Sequence, residues 1–221
     1  KHRRTSASST ATPARKAALE LVRRSRESHQ FLSSFAPRVL ESAQLESADK
    51  AFARLLAQGA LSLQVTLDAL INEVLRTPCD IQDDVRDALR ISAYEIIYLH
   101  KEDHAAVDQG VELVRSFAPR ATGVANYVLH RIVEAKERFP EGDSETSLEA
   151  AARFYGFPQW LAAAIKKDIG TRNAIELMAR SLEPAQVYFS ANALSSSHDK
   201  IARLTEATGI EFSHNRPLVP E

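Results

Sequence analysis

Three short stretches hold residues whose types and spacing could do chemistry. "RTPCD", Arg76 to Asp80, contains the single cysteine, Cys79, directly after Pro78. A thiolate there could serve as a covalent nucleophile. A lowered thiol pKa needs cationic neighbours, and Asp80, Asp83 and Asp84 supply the opposite charge. Because Pro78 pushes Thr77 out of the helical region, the stretch reads as a helix stop. "HKEDH" sets His100 and His104 four residues apart, and on one helix such a pair could share a metal. One helix ends and another begins within this segment, and no third ligand is signalled nearby, so it reads as a solvated turn. Asp80, Asp83, Asp84 and Asp87 lack the glycine of a calcium loop. They suit a helix N-terminus, where negative charge is favourable.

Larger constellations are missing. The 7 glycines are dispersed, with no G-x-G and no G-x-x-x-x-G-K-[ST], so no backbone is prepared for a dinucleotide or a phosphate chain. No serine sits in a nucleophile elbow. One cysteine excludes an internal disulfide and a multi-cysteine metal site, which suits a reducing, cytoplasmic setting. No signal peptide and no apolar run of membrane-spanning length is visible. The sequence therefore offers no catalytic, cofactor-binding or metal-binding residue.

Charge is more informative. The net charge is only −1, yet Lys1 to Arg26 carries eight basic residues (Lys1, Arg3, Arg4, Arg15, Lys16, Arg23, Arg24 and Arg26) against one acid, Glu20. A basic end of this kind meets a polyanion; the alternative is a solvated tail followed by an ordinary helix surface. Several cations on one face would neutralise phosphates and give steep salt dependence. No aromatic precedes Phe31, so the expected contact is to the nucleic-acid backbone and weakly sequence-specific.

The elements that would position these cations are helical. Gly is scarce, and Ala, Leu, Glu and Arg recur. "KHRRTSASSTAT" has no apolar periodicity and reads as a disordered basic arm, residues 1–12. Thr12 and Pro13 start a helix with Ala14, Ala18, Leu21, Val22 and Ser25 on one side and Arg15, Lys16, Arg23 and Arg26 on another. A second helix starts or breaks near Pro37. Ser47 caps a long stretch with Ala51, Leu55, Ala60 and Leu63 inward, dividing between Gly59 and Thr66. "VRDALRISAYEIIYL" is apolar nearly all round and belongs at the centre of a bundle. Val107, Val111 and Val114 mark the next helix, and Val124, Val128, Ile132 and Ala135 the one after Pro119. "FPEGDSETS", residues 139–147, reads as a linker. Thr146 to Glu149 then forms a capping box, and three helices follow. "QVYFSAN" and "IEFSH" read as strands around a helical "HDKIARLTEATG", so residues 148–221 read as a small α/β domain. The fold class expected is mainly α, an antiparallel helical bundle over residues 13–138 followed by that domain.

The order of these segments resembles a known family. "DHAAVDQGVELVRSFAPRATGVANYVLHRI" resembles the last two helices of the NusB fold, and "DKAFARLLAQGAL" with "LDALI" resembles its third and fourth. The continuation, "YGFPQWLAAAIKKDIG", "EPAQVYFSANALSS" and "LTEATGI…PLVP", resembles the linker domain of Sun/RsmB-type bacterial rRNA cytosine-5 methyltransferases. That resemblance implies an S-adenosylmethionine-dependent enzyme acting on small-subunit ribosomal RNA. Its catalytic domain, with a Gly-rich cofactor loop and two cysteines, would lie beyond residue 221. The chain, which begins with Lys, is then expected to be a fragment that needs no cofactor of its own. Its partners would be small-subunit rRNA and the missing methyltransferase domain, with no membrane. Where the family strand carries an Arg and a Lys, this chain has Ser190 and Ser195, while Asn192 is kept. Arg131 matches the second member of a basic pair whose first position is His130. The RNA-binding set expected is Arg3, Arg4, Arg15, Lys16, Arg23, Arg24, Arg26, Arg120, Arg131 and Asn192. Two other readings stay open, a NusB-type antitermination module and a protein–protein interaction bundle without an RNA role.

Overall fold

The computed structural model describes residues 10–75, 77 and 81–183, and no strand occurs among the described residues. The helices in chain order are α1 (Pro13–Ser28), α2 (Leu32–Ser42), α3 (Ser47–Ser62), α4 (Gln64–Val74), α5 (Asp83–Ile97), α6 (Asp103–Arg115), α7 (Thr122–Lys136), α8 (Leu148–Tyr155), α9 (Gln159–Ile169) and α10 (Thr171–Ser181). A single 3-10 turn, Pro119–Ala121, leads into α7. Cys79 and the expected strands "QVYFSAN" and "IEFSH" lie outside the described residues, as does the helix between those strands.

Helix α5 occupies the centre because its sequence leaves it no polar side. Val85, Leu89, Ile91 and Ile96 are all buried, and the helix packs against α1, α3, α4, α6 and α7. The cost of this position is polar. Asp87 and Glu95 are 0% and 1% exposed, and buried carboxylates require partners. Helix α1 begins as expected, with Pro13 at its first position, and buries Ala14, Ala18, Leu21 and Val22 together with Ala17 and Leu19. Ordered chain reaches back past the expected boundary of the arm. Ala11 is buried, and the Thr12 N–H donates to Gln109 Oε1 at 3.1 Å.

Three details of phase differ from the sequence reading. In α3 the buried stripe is Ala53, Leu56, Ala57 and Ala60, while Leu55 is 46% exposed and Ala51 faces solvent. The helix is rotated because Gly59 must lie against the Tyr94 ring, where a Cβ would overlap the ring atoms. In α7, Val124 is exposed and the inward residues are Ala125, Val128, Leu129 and Ile132. Before α8 the cap is Ser147 rather than Thr146. Ser147 Oγ accepts the Ala150 N–H at 3.3 Å, and Thr146 instead donates its hydroxyl to Asp143.

Helices α8 to α10 form a second small core around Leu148, Ala152, Ala162, Ala174 and Met178. They are fastened to the bundle at the end of α8, whose last carbonyls lack intrahelical donors. Thr66 Oγ1 donates to the Arg153 carbonyl at 2.5 Å, and Tyr98 Oη donates to the Phe154 carbonyl at 2.6 Å. Burial pushes the Tyr98 phenol well above its ordinary pKa, so it stays a donor. The Tyr98, Phe139 and Phe154 rings pack with centroids 5.4–6.1 Å apart, so Phe139 at the head of the expected linker is a packed residue.

Candidate nucleic-acid interface

The cations of α1 divide into two groups with different tasks. Arg15 Nε donates to Glu95 Oε1 at 2.9 Å and Arg15 Nη2 to Glu95 Oε2 at 2.6 Å. Its side chain is 13% exposed and lies over the Phe52 ring. Arg26 Nε donates to Asp87 Oδ2 at 2.9 Å and Nη2 to Asp84 Oδ1 at 2.7 Å. Burial pulls the Arg26 pKa down, but the hydrogen bond and charge of Asp87, with Asp83 and Asp84, outweigh it and leave it raised. Arg23 pairs with Asp84 at 3.0 Å and stacks over Phe117, 4.5 Å from the ring centroid. These three arginines therefore clamp α1 antiparallel onto α5 and neutralise its buried acids. They do not form a free basic face, because the buried arc of α1 runs beneath Arg15 and Arg26.

Lys16 and Arg24 are the cations of the helical part of α1 that face solvent. Arg24 shares a solvated pair with Glu20 at 2.7 Å, an interaction worth little, and Lys16 has no ion pair among the described residues. The three residues line a cleft of about 380 Å³ against Val39, Ser42 and Leu45. Further candidate cations stand just before α7 and along it. Arg120 stands at the rim of a cleft of about 450 Å³ formed with Phe117 and Val124 and has no ion pair among the described residues. Arg131 is exposed and pairs with Glu134 within α7. Tyr127, 56% exposed, lies between them in sequence. It is an aromatic of the kind on which unpaired bases stack, and its place opposite the Val128–Ile132 stripe was the signal for it. Arg3, Arg4 and Asn192 lie outside the described residues.

Other chemistry finds no centre here. Among the described residues no group of His, Cys, Asp and Glu is arranged to hold a metal ion. His100 sits in the turn after α5 with φ of 47° and His104 opens α6, so the two do not share a helix. No helix among the described residues is long and apolar enough to cross a membrane.

Residues 12–134 match the model of the NusB family. The chain is 24% identical over 204 residues to the "Probable ribosomal RNA small subunit methyltransferase B" of Bacillus subtilis, covering 90% of this chain and 45% of that protein. It is 26% identical over 169 residues to the protein of the same description from Synechocystis, covering 75% and 38%. It is 34% identical over 110 residues to "Ribosomal RNA small subunit methyltransferase B" of Thermus thermophilus, covering 49% and 27%. The chain thus spans less than half the length of these curated relatives.

Proposed function

Since the chain belongs to the NusB family through residues 12–134, we propose that it is the RNA-binding, substrate-positioning region of a small-subunit rRNA (cytosine-5)-methyltransferase. The observation that carries this reading is the extent of the match to the Bacillus subtilis relative. It covers 90% of this chain, and so runs past the family domain into α8–α10. A free-standing antitermination module has no use for those helices. The exposed cations Lys16, Arg24, Arg120 and Arg131 would hold phosphates, giving affinity with little base discrimination, and the clamped α1 gives Lys16 and Arg24 a rigid support.

The described residues hold no strand running through a glycine turn into a helix, the backbone that close approach of S-adenosylmethionine requires. Methyl transfer is proposed for the length that the relatives have and this chain does not span, and the setting proposed is the cytoplasm, where ribosomal RNA is made. The test is ultraviolet cross-linking of the whole chain to small-subunit rRNA fragments, with peptide mapping. Cross-links on α1 and the head of α7 support the reading. Cross-links no more frequent than to unrelated double-stranded DNA would refute it.

A further inference from the structure

A different part of the surface has the composition of a nucleotide site. At the end of α1 the chain turns through His29, whose φ is 53°, and Phe31 precedes α2. Between this turn and the face of α3 carrying Arg54, Gln58 and Ser62 lies a groove of about 650 Å³. Phe31 stands on its rim with 87% of its surface exposed, more than any other large apolar side chain among the described residues.

The chemistry of the lining narrows the occupant. No carboxylate lines the groove. Arg54 faces solvent and has no ion pair among the described residues. Apart from Phe31 and two leucines, the lining consists of hydroxyls, side-chain amides, the His29 imidazole and the Arg54 guanidinium. An apolar anchor from a protein partner would require a well-packed apolar pocket, which a single exposed ring among amides does not make. A nucleotide uses all the parts: a base face against the ring, base edges on the amides and a phosphate on the unpaired guanidinium. The inner end is closed by charges already spent. An adjoining cleft of about 320 Å³ shares Ser25, His29 and Leu61 and ends at the Arg26–Asp87 pair, so it adds rigidity and no competing positive charge.

We infer that this groove binds one nucleotide of single-stranded RNA, its base stacked on Phe31 and its phosphate held by Arg54. The inference rests on the RNA-binding reading above and adds to it the site at which a base is read. The probe is a fluorescein-labelled oligouridylate of about ten nucleotides, titrated at low salt into the whole chain. Phe31→Ala and Phe31→Leu are each expected to weaken binding about tenfold, as loss of one stacked base does, while Phe31→Trp keeps it. Arg54→Gln is expected to lower the salt slope by about one. In a Trp160→Phe background, the Phe31→Trp fluorescence should be quenched by unlabelled oligouridylate. Because Phe31 is exposed, its variants retain the fold, which circular dichroism checks. If Phe31→Ala and Phe31→Leu bind like the parent while Lys16→Glu/Arg24→Glu loses affinity, the groove is not the site, although the RNA reading stands. If only Phe31→Ala loses affinity, the ring is an apolar contact and stacking is refuted. If no form binds RNA, both readings fail together.

Discussion

Arg15 and Glu95 are 80 residues apart in sequence and meet through two hydrogen bonds, with the carboxylate 1% exposed. Removing one partner of such a pair leaves an uncompensated buried charge. Arg15→Ala is therefore expected to destabilise the chain by about 3 kcal/mol, read from the urea midpoint. The double variant Arg15→Met/Glu95→Leu should recover most of that loss, because a well-packed apolar pair replaces a buried ion pair at little cost. Lys16, the next residue, should behave in the opposite way. Lys16→Glu leaves stability within about 0.5 kcal/mol but weakens RNA binding. The distinction was partly legible in the sequence. On a helical wheel Arg15 and Arg26 fall between Val22 and Leu19, inside the buried arc. What the sequence does not display is the acid awaiting each of them, since Asp87 and Glu95 belong to a helix placed beside α1 only by the tertiary fold.

Among elements, α3 shows where local pattern runs out. "ADKAFARLLAQGALSL" offers two apolar stripes, the expected Ala51–Leu55–Ala60–Leu63, of which only Ala60 and Leu63 are buried, and the observed Ala53–Leu56–Ala57–Ala60. Nothing within the helix chooses between them. The choice is made by the close approach of Gly59 to Tyr94 of α5. Gly59→Ala should accordingly cost about 2 kcal/mol, as overpacking does. Gly123→Ala, where an added Cβ meets nothing within 4 Å, should be neutral or stabilising by up to about 1 kcal/mol. Thermal unfolding of the two variants side by side checks both. The turn before α8 carries a pH dependence. The Glu145 N–H and then the Thr146 hydroxyl hold the Asp143 carboxyl below its ordinary pKa. The folded turn thus favours the ionised form. Its contribution is present above the ordinary Asp value of about 4 and is lost as pH falls through the lowered one. The protection factor of the Glu145 amide, its exchange rate divided into the intrinsic rate at each pH, should fall over that acidic window in the parent chain, and Asp143→Asn should abolish that fall.

At the scale of the whole molecule, the order of helices was readable because turn chemistry punctuates it: Thr12-Pro13 opens α1, Pro119 precedes α7 and Gly170 separates α9 from α10. The fastening of α8–α10 to the bundle was not readable. It depends on two hydroxyls, from Thr66 and Tyr98, reaching carbonyls 87 and 56 residues away, and no local pattern encodes such pairs. The same division governs the candidate interface. A count of basic residues singled out the N-terminal arm and α1, while the structure reduced the solvent-facing set on α1 to Lys16 and Arg24 and left Arg131, already expected from the sequence, exposed on α7.

The most direct measurement is filter binding of the whole chain to a small-subunit rRNA fragment across a salt series, in three forms: the parent, Lys16→Glu/Arg24→Glu and Arg15→Met/Glu95→Leu. Binding at low salt is expected, with affinity declining linearly in log–log form. The charge-reversed variant should show a shallower slope and binding weaker by roughly tenfold or more, and the ion-pair replacement near-parental affinity. Absence of binding at low salt, or equal affinity of the parent and the Lys16→Glu/Arg24→Glu variant, would overturn the RNA-binding role proposed for α1.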